Sequence, residues 1–279
     1  MLVAHFLDLI PIWLLFAGTI VLMAFFIEVG FRLGQRALPA AKKAQTSQVR
    51  AIMGAGLGLL AFMLAFTFST AQSHFEVRVQ SVAEEARIAR NAFMQADLLV
   101  EPARTQAKQL LKDYVGLRTK VRNTKSPGTA QFLAELIQSS EKIQKDLWTL
   151  AVSGSRQSTP DQSGNGQNSM FMASVVALTD IHFTRVHSAV MNRIPLTIWM
   201  TLYLMAVLSM IIMGFQAGLT EKRSPVATMT LALAFAAVII LITDLDRPVM
   251  SFFEINKQLL YDLDRNMQTE LQLEYRPGN

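Results

Sequence analysis

The chain has 279 residues, of which 51% are hydrophobic and 17% charged, with a formal charge of +5 and no cysteine. So apolar a composition, with a mean hydropathy of +0.30, places much of the surface in lipid rather than in a water-facing domain. The missing cysteines exclude disulfides, thiolate nucleophiles and Cys-based zinc or iron–sulfur sites, and the basic residues cluster beside apolar runs with no recognition motif, so lipid headgroups and not nucleic acid are the expected partner.

The first apolar run, from about 7 to 33, is interrupted by Asp8, Pro11 and Glu28. At about 1.5 Å per residue it is long enough to cross roughly 30 Å of hydrocarbon. Trp13 lies near one end, where an interfacial aromatic belongs. No basic segment precedes the run, and its length exceeds that of a signal-peptide core, so it reads as a retained span. Glu28, toward the other end, is expected to extend its side chain to the interface.

The second run, 51–70, reads AIMGAGLGLLAFMLAFTFST and carries no charge. Gly54 and Gly58 form a small-xxx-small pair, expected to let a neighbouring helix approach closely. Phe62 and Phe66 share a face four residues apart, whereas Phe68 sits on another. Were several copies of this helix to surround one axis, those stacked rings would form a hydrophobic constriction able to gate by dewetting.

Residues 71–194 are far more polar and keep helical periodicity, which predicts a helical extramembrane domain between the second and third spans. Phe75, Val79, Val82, Ala86, Ala89, Phe93 and Ala96 alternate in steps of four and three, a heptad-like stripe continuing out of the second span. Pro102 breaks the helix, and Ala107, Leu110, Tyr114 and Leu117 resume the spacing. A third segment starts at Ser126-Pro127 with Leu136, Ile143, Leu147 and Leu150 inward. Residues 153–169, rich in Ser, Gly, Asn and Gln, predict a flexible loop. A fourth helix from about Met170 turns Met172, Val176, Phe183 and Val186 inward.

A second hairpin occupies 195–243, its third span opened by Pro195 and its fourth by Ser224-Pro225. From 244 to 279 the pattern predicts an amphipathic helix with Phe252, Leu259, Leu263, Met267 and Leu271 on its apolar side. Asp244, Asp246 and Arg247 read as a local ion pair closing the fourth span. The fold class is thus an all-α integral membrane protein of four spans, and nothing alternates like a strand.

Short loops carry the orientation signal. Arg32, Arg36, Lys42, Lys43 and Arg50 flank the first connection and Lys222 and Arg223 lie in the last, so both hairpin loops are expected in the cytoplasm and the helical domain outside. His182 and His187 fall on different helix faces and define no metal site, and adjacent Glu84 and Glu85 read as a solvated face. No nucleophile elbow, P-loop, metalloprotease or dinucleotide motif occurs, so no enzyme activity, cofactor or metal is expected. No span carries a central group of ionisable residues, which disfavours a proton-coupled transporter.

The stretch LLAFMLAFTFS with Ala71, then Glu85-Ala86, Leu98-Leu99, Glu101-Pro102, Arg104, Tyr114 and finally Leu245-Asp246-Arg247-Pro248 resembles the bacterial family of bestrophin-like membrane proteins. Bestrophins are pentameric anion channels with four spans per subunit, whose second span lines a narrow apolar neck. By that resemblance Phe62 and Phe66 form the constriction, with Gly58 standing where a third apolar neck residue is expected. The acidic calcium clasp of animal bestrophins has no counterpart, so no calcium gating is implied. Bestrophins keep the helical domain in the cytoplasm, opposite to the side expected from the basic loops.

These readings together imply a homo-oligomer in a bacterial inner membrane that conducts inorganic anions, with a non-conducting sensor or scaffold as the alternative.

Overall fold

Apolar runs bounded by proline and charge become helices throughout the described parts of the chain. The structure, a computed structural model, describes residues 10–37, 43–120, 129–157, 164–191, 193–220, 225–247 and 258–274. In chain order these form α1 (Ile12–Ala37), α2 (Lys43–Ala96), α3 (Ala103–Thr119), α4 (Thr129–Gln157), α5 (Gly164–Met191), α6 (Leu196–Leu219), α7 (Pro225–Asp246) and α8 (Gln258–Glu274). Four of them, α1, α2, α6 and α7, are long and apolar enough to cross a membrane. The chain divides into a unit of residues 3–75 and 193–253 and a unit of residues 76–192 and 254–279 with the first two residues.

In the first unit the decisive contact is made by residues without side chains. A Cβ on Gly30 would lie 2.1 Å from the Ile211 carbonyl oxygen, and one on Gly34 would lie 2.3 Å from that of Phe215. Reciprocally, Gly214 would strike the Ile27 carbonyl at 2.1 Å and Gly218 that of Phe31 at 2.4 Å. Lipid supplies no hydrophobic drive between helices, so close backbone approach and dispersion must hold the pair. Thr19 Oγ1 and Tyr203 OH, 3.2 Å apart, mark the other end of the same contact. Partner numbers rise together along both helices, so α1 and α6 run parallel.

Around this pair Met23, Ile27, Leu60, Leu64, Leu202, Met210, Ala236 and Ile239 form one buried cluster. Ser209 Oγ donates to the Gly56 carbonyl at 3.3 Å, a polar link from α6 to α2. At the end of α7, Asp246 Oδ1 accepts from the Ile194 N–H at 2.9 Å and Arg247 Nη2 donates to the Ile10 carbonyl at 2.8 Å. Asp244, Asp246 and Arg247 are all buried. The motif therefore reaches beyond the local ion pair expected from sequence: it ties the segments entering α6 and α1 to the end of α7.

In the second unit the α2 stripe packs as expected at Val82, Ala86, Ala89, Phe93 and Ala96, although Val79 is exposed. The helix stops at Ala96, a turn with a cis Glu101–Pro102 bond follows, and α3 returns antiparallel with Ala107, Leu111, Tyr114 and Val115 inward. Leu147 of α4 joins that core, and Leu136 is buried too.

Three expectations fail here. The flexible loop at 153–169 shrinks, because α4 continues to Gln157 and α5 starts at Gly164, with 158–163 outside the described residues. Ser, Asn and Gly cost only about 0.5–1 kcal/mol each against alanine in a helix, which neighbouring packed turns can offset. On α5 Phe171, Ser174, Val175, Leu178, His182 and Ser188 are buried and Met172 packs against the core as expected, while Val176 and Phe183 are exposed. That helix carries two apolar stripes, and the one containing a serine and a histidine is the one that packs. On α8, Met267 is buried and Leu263 and Leu271 pack against the core as expected, while Leu260 takes the inward place expected of Leu259, which is exposed. Asp8, Lys42, Ser126, Pro127, Lys222, Arg223, Ser224, Pro248 and Phe252 lie outside the described residues.

Candidate functional site

One face of α2 in the first unit is covered and the opposite face is bare. Leu60, Leu64, Thr67 and Ala71, at helical spacing, are buried. Thr67 satisfies its hydroxyl by donating to the Met63 carbonyl at 2.7 Å. On the other side Ala51, Ala55, Gly58, Phe62, Ala65, Phe66, Ser69 and Ser73 form an exposed stripe. Phe62 is 66% and Phe66 58% exposed. The stripe carries no ionisable group between Arg50 and Glu76 and changes from small apolar residues to serines after the phenylalanines. Such a face can meet lipid, another helix or a narrow water column that its rings would dewet.

Gly54 and Gly58 have no atom within 4 Å of an added Cβ. Among the described residues nothing lies against them, and within the chain close backbone approach is made at Gly30, Gly34, Gly214 and Gly218. The same G-x-x-x-G spacing in α1 and α6 was the available signal. Phe68 turns away from the bare stripe and packs on the buried cluster.

A second constellation lies in the other unit. Glu85 is completely buried. Its Oε1 accepts from Tyr114 OH at 2.5 Å and from Arg118 Nε at 3.0 Å, and its Oε2 is ion-paired with Arg185 Nη1. Arg118 Nη2 also reaches Tyr114 OH at 3.3 Å and contacts His182 Nδ1. Burial, then the neighbouring Arg118 charge, push the His182 imidazole down to about 4. Burial lowers Arg185 to about 10, which leaves it charged at neutral pH. The solvated face expected for the two glutamates holds for Glu84, paired with Arg87 at the surface, and fails for Glu85. Glu85 follows Val82 by three residues and precedes Ala89 by four, so its place on the core stripe was visible, though its partners were not.

Asp97, Glu270 and Glu274 bring three carboxylate oxygens within 4.8 Å of one another, a spacing that suits a cation. The cation is Lys108, whose Nζ lies 2.5, 3.0 and 2.7 Å from them. Burial alone would lower that ammonium, but Asp97, Glu274 and Glu270 outweigh it and hold the group above the ordinary lysine range. The contact clamps α8 to α3, and Tyr261 OH adds a bond to the Thr119 carbonyl at 3.3 Å.

The sequence profile of the Bestrophin-like domain matches residues 9–259. The chain belongs to the bestrophin-like family. No curated protein matches it significantly. Among solved structures it is similar to a crystal structure described as that of a membrane protein, with 13% identity, a TM-score of 0.64, and coverage of 93% of this chain and 98% of that one. At that identity the likeness speaks for a shared fold. The residues that carried the family resemblance take separate places in this bestrophin-like protein. LLAFMLAFTFS runs through both the bare and covered faces of α2, Glu85 and Tyr114 meet in the buried network, and Asp246 and Arg247 tie off α7.

Proposed function

We propose that this bestrophin-like membrane protein is a homo-oligomeric channel for small inorganic anions, with α2 of each copy lining the pore and Phe62 and Phe66 forming its constriction. The observation that supports it is the bare stripe of α2: a charge-free face of small residues with two exposed phenylalanines on successive turns, opposite a fully packed face. Gly54 and Gly58 lie open on that helix, and in the assembly they are the places where a neighbouring copy approaches. Residues 76–192 form a helical domain inserted between the second and third spans. Parallel α1 and α6 support this, since the chain must return to its starting side of the bilayer before α6 begins. The basic hairpin loops assign that side to the exterior of a bacterial inner membrane.

Purified protein should run as a closed oligomer and pass chloride when reconstituted into vesicles. Phe62→Ala with Phe66→Ala should change chloride flux by about tenfold or more, the scale of a lost dewetting barrier of about 1.4 kcal/mol. A strictly monomeric protein, or flux unchanged by the pair, overturns the pore. Single cysteines in the Cys-free chain, one in the first hairpin loop and one in the helical domain, report the sidedness by reagent accessibility. A non-conducting scaffold is favoured by a different observation, the exposed Val100 and Phe183 of the helical unit. A stoichiometric partner without conductance would select it.

A further inference from the structure

The buried network around Glu85 does not balance its charge. One carboxylate faces two guanidiniums, those of Arg118 and Arg185, with Tyr114 and His182 neutral. One positive charge is therefore left over beside a carboxylate with no exposure, where Arg118 is 7% and His182 5% exposed and the Arg185 side chain is 21% accessible. Buried charge of that kind is ordinarily matched.

The hydrogen bonds fall short at the same point. A guanidinium only donates, so His182 Nδ1 accepts from Arg118, and the proton of the neutral ring sits on Nε2. That N–H is buried and has no acceptor among the described residues. Arg185 Nη1 lies against Glu85 Oε2 as an ion pair without a well-formed hydrogen bond. A missing acceptor and an unmatched positive charge coincide on α5, one turn apart.

We infer that this cluster is a binding site for one small monovalent anion of the halide class, held by His182 Nε2–H and the Arg185 guanidinium. Its single negative charge brings the five-residue cluster to neutrality, and its acceptor capacity satisfies the stranded donor. A water molecule would supply the acceptor and leave the charge. A dianion would overshoot it. The Arg185 side chain, 21% accessible, gives the route from solvent. The site lies in the helical unit and stands independently of the pore, because it depends on none of the α2 stripe residues.

The test is thermal unfolding of the full-length protein in detergent, in sodium chloride or bromide against sodium gluconate at equal ionic strength. The site requires a saturable rise in Tm with either halide, about 2–4 °C once the anion exceeds its Kd several-fold. Arg185→Gln removes the excess charge while keeping the Glu85–Arg118 pair, and should unfold at the same temperature in all three salts. Bromide located by anomalous scattering beside His182 would place the anion directly. Equal Tm in chloride and gluconate, an unchanged halide increment in Arg185→Gln, or bromide absent from His182 in crystals would each overturn the site. If Arg185→Gln fails to fold, the wild-type salt comparison and the bromide map still decide. Loss of chloride flux with the halide-dependent Tm retained would sink the pore and leave this site standing.

Discussion

The two units of this bestrophin-like protein are held by opposite devices. Where α1 meets α6, everything that could intervene has been removed: four glycines bring backbone carbonyls against backbone. Around Glu85 and Lys108, charges have been put inside and then surrounded by their partners. On the proposed topology the contrast follows from the solvent each must leave. Lipid tails are as apolar as leucine, so helices gain by proximity and not by burying more hydrocarbon. In water an ordinary apolar core already supplies the drive, and buried ion pairs add register at a desolvation cost that only close geometry repays.

That contrast can be broken by substitution, beginning with the network. Glu85→Ala strands Arg118 and Arg185 without a carboxylate and should destabilise the helical unit by about 3–5 kcal/mol, read from denaturant unfolding followed by circular dichroism. A cost below about 1 kcal/mol would mean that the charges are solvated and the comparison is false.

Next comes pH. A histidine in the unfolded chain takes its proton near 6.5, whereas His182 in the folded protein waits until about 4. Between those values the unfolded state binds more protons, so stability is full above about 6.5 and falls as pH drops toward 4, by about 3 kcal/mol in all. Tm measured against pH should lose this segment in His182→Phe. An identical curve for both proteins would remove His182 from the account.

The smallest expected effect sharpens the other side. Gly214→Ala places a Cβ 2.1 Å from the Ile27 carbonyl and should cost about 1–3 kcal/mol as α1 and α6 separate. Gly18→Ala, on the same α1 with nothing within 4 Å, should be neutral or stabilise by up to about 1 kcal/mol through helix propensity. Equal costs at the two positions, measured by unfolding in mixed detergent, would show that the glycines are incidental.

The spans were legible because hydropathy is a local property that lipid reads directly. Leu60, Leu64, Phe62 and Phe66 already stood on opposite sides of one helix in the sequence. The glycine contact was only half legible: the G-x-x-x-G spacing drew attention to Gly54 and Gly58, and which copy of a spacing finds a partner is decided in three dimensions. The place of Glu85 on the core stripe was legible, but the groups that let a carboxylate stay there were not, because Tyr114, Arg118 and Arg185 lie on other helices and far along the chain. On α5 and α8, where apolar residues occupy more than one stripe, periodicity alone could not choose between Val175 and Val176 or between Leu259 and Leu260.

The clamp on Lys108 has a bearing on biosynthesis. Its partner Glu270 is encoded 162 residues later, beyond both remaining membrane-crossing helices. At about 5–20 residues per second, α3 waits on the order of ten to thirty seconds after synthesis for two of the three carboxylates around Lys108, only Asp97 being made before it. Through that interval the Lys108 ammonium has Asp97 as its carboxylate partner without Glu270 and Glu274, and the groove that Leu260 and Met267 will fill stands open. Membrane insertion can therefore be complete before the helical unit closes, and a ribosome stalled short of α8 would display a protein anchored in the bilayer with its helical unit unsealed.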